Sequence, residues 1–172
     1  MMNFENTKKK ISISSWNVHG LGDKFNDNYF IEFLKNDNNI LLETWKGENK
    51  NFTVSGFNLN FNKIRKKNKR AKRHSRGIII LYKKNIEKGI TYIEKGTISQ
   101  NRLWLKLDKT FFGFDFDLYL CALYMPPEES TQTENDFHRL ENEISTFASR
   151  GKFLLMGDFN ARTAELEDFI KT

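Results

Sequence analysis

Asp158, Phe159 and Asn160 follow directly on the apolar run Phe153-Leu154-Leu155-Met156-Gly157, which places a carboxylate and an amide two positions apart where a strand should end. A run without polar residues reads as a buried strand, and its end would carry Asp158 and Asn160 to one side of a sheet rim, where ligands bind. Gly157 permits a sharp exit. Aspartate offers an anionic oxygen, and asparagine an amide that can hold a phosphate oxygen or orient a nucleophile. Alone, the same triplet also reads as a polar turn between a strand and a helix. Three other segments end alike. Ile11 to Trp16 leads into Asn17, Ile40-Leu41-Leu42 stops at Glu43, and a long apolar stretch closes at Tyr124 before Pro126 and Pro127. A carboxylate behind a buried strand is costly unless it is paired, metal-bound or turned to water at the rim. Two carboxylates, two amides and a phenol at strand ends describe a metal-assisted phosphate site. Hard oxygen donors without a Cys/His cluster point to Mg²⁺ or Mn²⁺ rather than zinc.

The elements that must hold these residues alternate between strand and helix patterns. Ile11 to Trp16 has the period of a half-buried strand, and Asp27 can cap a helix over 28–36 whose inward stripe is Phe30, Phe33 and Leu34. Phe52 to Phe61 suggests one or two edge strands, and Gly77 opens a β-branched central strand through Lys83. Ile90 to Ile93 and Leu103 to Leu107 continue an antiparallel meander. Thr110 to Gly113 turns into a strand from Phe114 to Tyr124 that is bent or split near Asp117. Thr133 and Asp136 signal a capping box for a helix to about Ser149, with Phe137, Leu140, Ile144 and Phe147 on its buried face. A short helix from Thr163 would bury Leu166, Phe169 and Ile170.

With 172 residues, 38% of them hydrophobic, the chain can bury one core, and no repeat or linker divides it. Its single cysteine, Cys121, excludes a disulfide framework and fits a reducing, intracellular compartment. No segment reaches membrane-spanning length, and the first ten residues lack the apolar core of a signal peptide. The net charge of +6 is concentrated: nine of the 28 basic residues lie between Lys63 and Arg76 with no acid among them, and the rest of the chain is net negative. Lys66, Lys67, Lys69, Arg70, Arg73 and Arg76 could meet a polyanion such as DNA, or serve as a solvated insertion or nuclear-import signal.

Trp16-Asn17-Val18-His19-Gly20-Leu21, Leu42-Glu43-Thr44-Trp45, Arg76-Gly77-Ile78-Ile79-Ile80-Leu81, Tyr124-Met125-Pro126-Pro127 and Gly157-Asp158-Phe159-Asn160-Ala161 occur in the order seen in the endonuclease/exonuclease/phosphatase superfamily. Nearly the whole chain resembles it. The Glu-Thr-Trp, Tyr-x-Pro-Pro and Asp-Phe-Asn-Ala-Arg forms most resemble the apurinic-type endonuclease domain of non-LTR retrotransposons. The resemblance implies a four-layer α/β sandwich of DNase I type, incomplete at its C-terminus, with 1–172 as a single truncated domain. It also implies a Mg²⁺- or Mn²⁺-dependent nuclease that nicks DNA, with a reverse transcriptase domain of the parent element as a partner.

Carried over by motif, the resemblance makes Glu43 the principal metal carboxylate with Asn17 beside it on metal or phosphate. Asp158 would orient or deprotonate the attacking water, Asn160 would hold the scissile phosphate, and Tyr124 would donate to a phosphate oxygen. Arg76-Gly77 stands where relatives often have paired glycines. The family closes with a further Asp and a Ser-Asp-His segment that have no counterpart up to Thr172, so binding of metal and nucleic acid with weak or no cleavage is expected. His19, His74 and His138 read as surface residues. The alternatives are a non-catalytic, nucleic-acid-binding remnant or another phosphoesterase of the superfamily.

Overall fold

The computed structural model describes residues 10–45, 53–63, 77–93, 99–125 and 133–160. The basic run after Lys63, the two prolines, Ala161, Arg162 and the expected terminal helix lie outside these residues. Within them, two four-stranded sheets pack face to face. One contains β1 (Ile13–Asn17), β2 (Asn38–Leu42), β3 (Phe57–Lys63) and β4 (Ile78–Lys83) in the order β1-β2-β4-β3. The other contains β5 (Ile90–Tyr92), β6 (Arg102–Leu107), β7 (Leu118–Tyr124) and β8 (Lys152–Asp158), in sequence order. Helices α1 (Asn28–Asn36), α2 (Lys109–Phe112) and α3 (Thr133–Ala148) complete the described elements, with short 3₁₀ turns between.

The period-2 alternation of each strand sorts its residues between two cores. Ile40, Leu42, Ile78 and Ile80 meet Leu103, Leu105, Leu107, Leu120 and Ala122 between the sheets. Their neighbours Leu41, Ile79 and Leu81 face outward onto Phe30 and Leu34 of α1. Trp104, Cys121 and Leu123 face outward onto Leu140 and Phe147 of α3. The result is the four layers helix, sheet, sheet, helix. Asp27 caps α1 as the sequence indicates, its Oδ1 accepting from Tyr29 N at 2.9 Å and Phe30 N at 3.4 Å.

Among the described residues two strand pairs are parallel, and each is joined by a crossover helix: β1 to β2 through α1, and β7 to β8 through α3. A parallel pair requires such a crossover, and its two strands end at the same rim. In register, Asn17 lies opposite Leu42 and Tyr124 opposite Asp158. The strand ends singled out in the sequence therefore share one edge of the sandwich.

Several expectations need correction. The apolar run of β8 is not buried: it is the last strand of its sheet, and Phe153 and Leu154 remain 42% and 40% exposed. Among the described residues β8 stands at the margin of its sheet, where Leu155 and Met156 pack against the cores on its two faces while Phe153 and Leu154 stay in contact with water. Gly157 lies within β8 rather than at its exit, because a Cβ there would sit 1.9 Å from Leu123 O of β7. The expected turn at Thr110 to Gly113 is helix α2, capped by Asp108 Oδ1 on Phe111 N at 2.9 Å and ended by left-handed Gly113. The strand that follows begins only at Leu118. Phe33 and Phe137, assigned to inward faces, are half exposed; Phe33 packs instead against Trp16, with ring centroids 4.8 Å apart.

The capping box also differs. Thr133 is already helical, and Asp136 is buried against β6, where its Oδ2 accepts from Asn101 Nδ2 at 2.5 Å. Beside it, Arg102 is fully buried and pairs with Glu143, Nε to Oε2 at 3.0 Å and Nη2 to Oε1 at 3.3 Å. Its Nη1 donates to Asp136 O, and Trp104 Nε1 donates to Glu143 Oε2 at 2.7 Å. This network fixes α3 over β6. Asn101 O in turn accepts from Tyr124 N at 2.9 Å, at the C-terminal end of β7.

Candidate active site

Asn17, at the end of β1, donates from Nδ2 to Asp158 Oδ2 at 3.0 Å, which bridges the two sheets at the rim. The other carboxylate oxygen of Asp158 accepts from Asn160 N at 2.9 Å. Asn160 Nδ2 donates to Met125 O at 2.7 Å, and Met125 N to Asp158 O at 2.8 Å, so the ends of β7 and β8 are stitched together. Asn17, Asp158 and Asn160 line a cleft of about 530 Å³ with Ser15, Leu42 and Phe159. Both oxygens of Asp158 are thus oriented by N–H donors.

Glu43 stands in the adjoining loop. The segment after β1 runs along the segment after β2 through Val18 N to Leu42 O (3.0 Å), Gly20 N to Glu43 O (2.7 Å) and Leu21 N to Thr44 O (3.0 Å). His19 N donates to Asn17 Oδ1 at 3.0 Å, and His19 Nδ1 lies 3.3 Å from Glu43 Oε2. Trp45 closes the loop: its ring meets His19 at 4.5 Å between centroids and lies where a Cβ on Gly20 would come within 2.3 Å. Gly77 is equally tight, since a Cβ there would sit 2.5 Å from Thr44 Oγ1. Tyr124 is buried within the core between the sheets, directly opposite Asp158 in register.

The backbone marks the same place independently of the motifs. Among the described residues, the non-glycine positions with positive φ are His19 (45°), Glu43 (52°), Trp45 (52°) and Asn160 (44°). All four lie at this rim. Each such conformation costs roughly 1–3 kcal/mol, and that strain persists where surrounding structure enforces it, as functional sites do. For a bulky residue such as Trp45, left-handed backbone is an outlier.

In solved structures the chain matches a 3′ phosphatase, NExo from Neisseria bound to a product DNA hairpin, with a TM-score of 0.61 and 14% identity over 88% of this chain and 58% of that one. An AP endonuclease from Archaeoglobus fulgidus matches with a TM-score of 0.57 and 16% identity, over 88% of this chain and 58% of that one. The fold is DNase I-like. TDP2 from D. rerio, complexed with a single-stranded DNA product, shares the DNase I-like architecture with a TM-score of 0.52 and 18% identity, over 90% of this chain and 62% of that one. The chain spans 58% of the length of the first two neighbours. No protein-family model and no curated protein matches the sequence.

On this DNase I-like scaffold the structure brings Asn17, Asp158 and Asn160 into one cleft and sets Glu43 in the loop beside it. Tyr124 closes β7 at the same rim, with its side chain buried in the core between the sheets. Lys66, Lys67, Lys69, Arg70, Arg73 and Arg76 lie outside the described residues. His19 is on the surface, as the sequence indicates, with its side chain 76% exposed, and it lies beside Glu43 and Trp45. The signal for it was Gly20, which leaves room for an aromatic ring beside the histidine. Among the described residues no group of three or more His, Cys, Asp or Glu side chains converges on one point. The donor set nonetheless suits a hard divalent cation held by one or two carboxylates and completed by water and phosphate oxygens.

Proposed function

We propose that this chain is a divalent-metal-dependent phosphodiesterase domain acting on DNA. The observation that carries the reading is the convergence of Asn17, Asp158 and Asn160 across two sheets in a cleft rimmed by strained backbone. The DNA products bound in the Neisseria phosphatase and the D. rerio TDP2 structures support nucleic acid as the substrate class. The Glu-Thr-Trp and Asp-Phe-Asn-Ala-Arg motifs favour nicking of DNA in the manner of a retrotransposon endonuclease, which would act beside a reverse transcriptase domain.

In this reading Asp158, oriented by Asn17 and Asn160 N, receives a proton from the water that attacks phosphorus in line, as the opposite P–O ester bond breaks and its departing oxygen takes a proton from solvent. An asparagine amide carries two N–H groups, so Asn160 can give one to Met125 O and the other to a phosphate oxygen. Tyr124 adds an O–H donor as charge builds on the phosphoryl oxygens. Glu43 and Asn17 would hold the cation, which neutralises phosphate charge when bound. The run from Lys63 to Arg76 would supply affinity for the backbone.

Supercoiled plasmid incubated with the purified chain and Mg²⁺ or Mn²⁺ tests this. The expected result is slow nicking that needs the metal and disappears in Asp158→Ala. Binding of metal and DNA without cleavage would instead assign the chain to the non-catalytic alternative. Cleavage that survives Asp158→Ala would sink the reading.

A further inference from the structure

His19 resembles a spectator at first sight, because its side chain is 76% exposed. Its distance from Glu43 does not settle the matter either. On the surface of α3, His138 Nδ1 lies at the same 3.3 Å from Glu141 Oε2, in an ordinary pair one helical turn apart. The two pairs differ in what holds them. His19 and Glu43 are 24 positions apart, and both sit on left-handed backbone in loops locked to each other by Gly20 N to Glu43 O. Trp45, itself left-handed, braces the imidazole edge to face, and Gly20 is the residue that admits the Trp45 ring. Three strained residues therefore present one imidazole beside one carboxylate, next to Asn17, whose Oδ1 accepts from His19 N.

Two ligands about 2.1 Å from a cation on adjacent corners of an octahedron stand about 3.0 Å apart. The 3.3 Å between His19 Nδ1 and Glu43 Oε2 is close to that spacing. Resting on the reading above, in which Glu43 holds a divalent cation, we propose that His19 supplies an imidazole nitrogen to the same ion. The site then has mixed nitrogen and oxygen donors and favours Mn²⁺ over Mg²⁺. Mg²⁺ keeps its oxygen ligands and waters, whereas an imidazole nitrogen gains affinity along the transition-metal series. Two protein ligands leave the remaining positions to water and to the phosphate of a bound strand.

The test uses the full chain without a histidine tag, loaded with Mn²⁺ and measured by electron spin echo spectroscopy. The expected spectrum contains ¹⁴N modulation from a directly bound imidazole, unchanged in His138→Asn and absent in His19→Asn. Asparagine tolerates left-handed backbone, so the loop survives that change. Calorimetry should show the Mn²⁺ preference over Mg²⁺ shrinking about tenfold or more in His19→Asn, since losing even an outer-shell partner costs about 10–100-fold in metal affinity. Mn²⁺ that binds through Glu43 without ¹⁴N modulation would overturn the proposal and leave the metal-dependent reading standing. An Mn²⁺ affinity unaffected by Glu43→Gln would overturn both.

Discussion

Arg102 and Glu143 form a two-point ion pair that is sealed from water between β6 and α3, with Arg102 wholly buried and Glu143 7% exposed. Removing one partner strands a buried charge. Glu143→Ala should cost about 3–5 kcal/mol, whereas replacing Arg102 and Glu143 together by apolar residues of similar volume should recover much of that loss. Urea unfolding of the single and double variants measures both. Equal destabilisation in the two would show that the pair contributes through shape alone.

Gly157 and Gly22 separate steric necessity from backbone preference. A Cβ at Gly157 would meet Leu123 O at 1.9 Å, while at Gly22 nothing lies within 4 Å. Gly157→Ala should therefore destabilise by about 3 kcal/mol or more, as forced overpacking does. Gly22→Ala, at φ +43°, should cost about 1 kcal/mol from its left-handed backbone. Unfolding midpoints check the ranking.

The Lys106–Asp117 pair sets an acid-sensitive contribution. Lys106 Nζ lies 2.8 Å from Asp117 Oδ2, and this hydrogen bond, reinforced by Lys109 N at 2.9 Å, holds the Asp117 carboxyl below its ordinary range. A lowered carboxyl pKa contributes stability above the unfolded-state value and loses it as pH falls through the folded-state value. The advantage of wild type over Asp117→Asn, below about 1 kcal/mol for a pair near the surface, should be complete at pH 6 and fade below the usual carboxylate range. A difference that stays constant down to pH 2 would contradict this.

The cation run is testable by salt alone. Changing Lys66, Lys67, Lys69 and Arg70 to Ala should reduce the slope of log affinity for DNA against log salt by up to about 3.6, since each phosphate contact contributes about 0.9. An unaltered slope would assign the run to targeting.

Glu43→Gln keeps size and removes the charge. It should weaken Mg²⁺ and Mn²⁺ binding with little change in melting temperature. Equal metal affinity in variant and wild type would remove Glu43 from the metal's ligands.

Much of the architecture was legible because period-2 strands and period-3.6 helices follow local burial. The span of α1 and its Asp27 cap could be read directly, as could the central position of β4. The errors arose where tertiary contacts override local pattern. Phe153 and Leu154 look like core residues, yet their exposure depends on β8 being the last strand of its sheet, which no local window contains. Asp136 has capping chemistry, but Asn101 and Arg102 of another element claim it. The grouping of Asn17 with Asp158 and Asn160 was readable as motifs at strand ends. The placement of His19 beside Glu43 was not, since it depends on left-handed backbone at His19, Glu43 and Trp45.

The bond from Asn17 to Asp158 spans 141 positions and joins the first described strand to the last. Contacts so distant in sequence form late and slowly, because the closure entropy of the intervening chain must be met first. During synthesis the sheet holding β1, β2 and β4 can assemble while β8 is still unmade. A nascent chain therefore displays Asn17, His19 and Glu43 without Asp158 and Asn160, and a proteolytic cut between α3 and β8 would restore that condition. The Asn17–Asp158 bridge between the sheets is thereby tied to the integrity of the polypeptide, and a copy cut between α3 and β8 would keep the first sheet's strand ends without it.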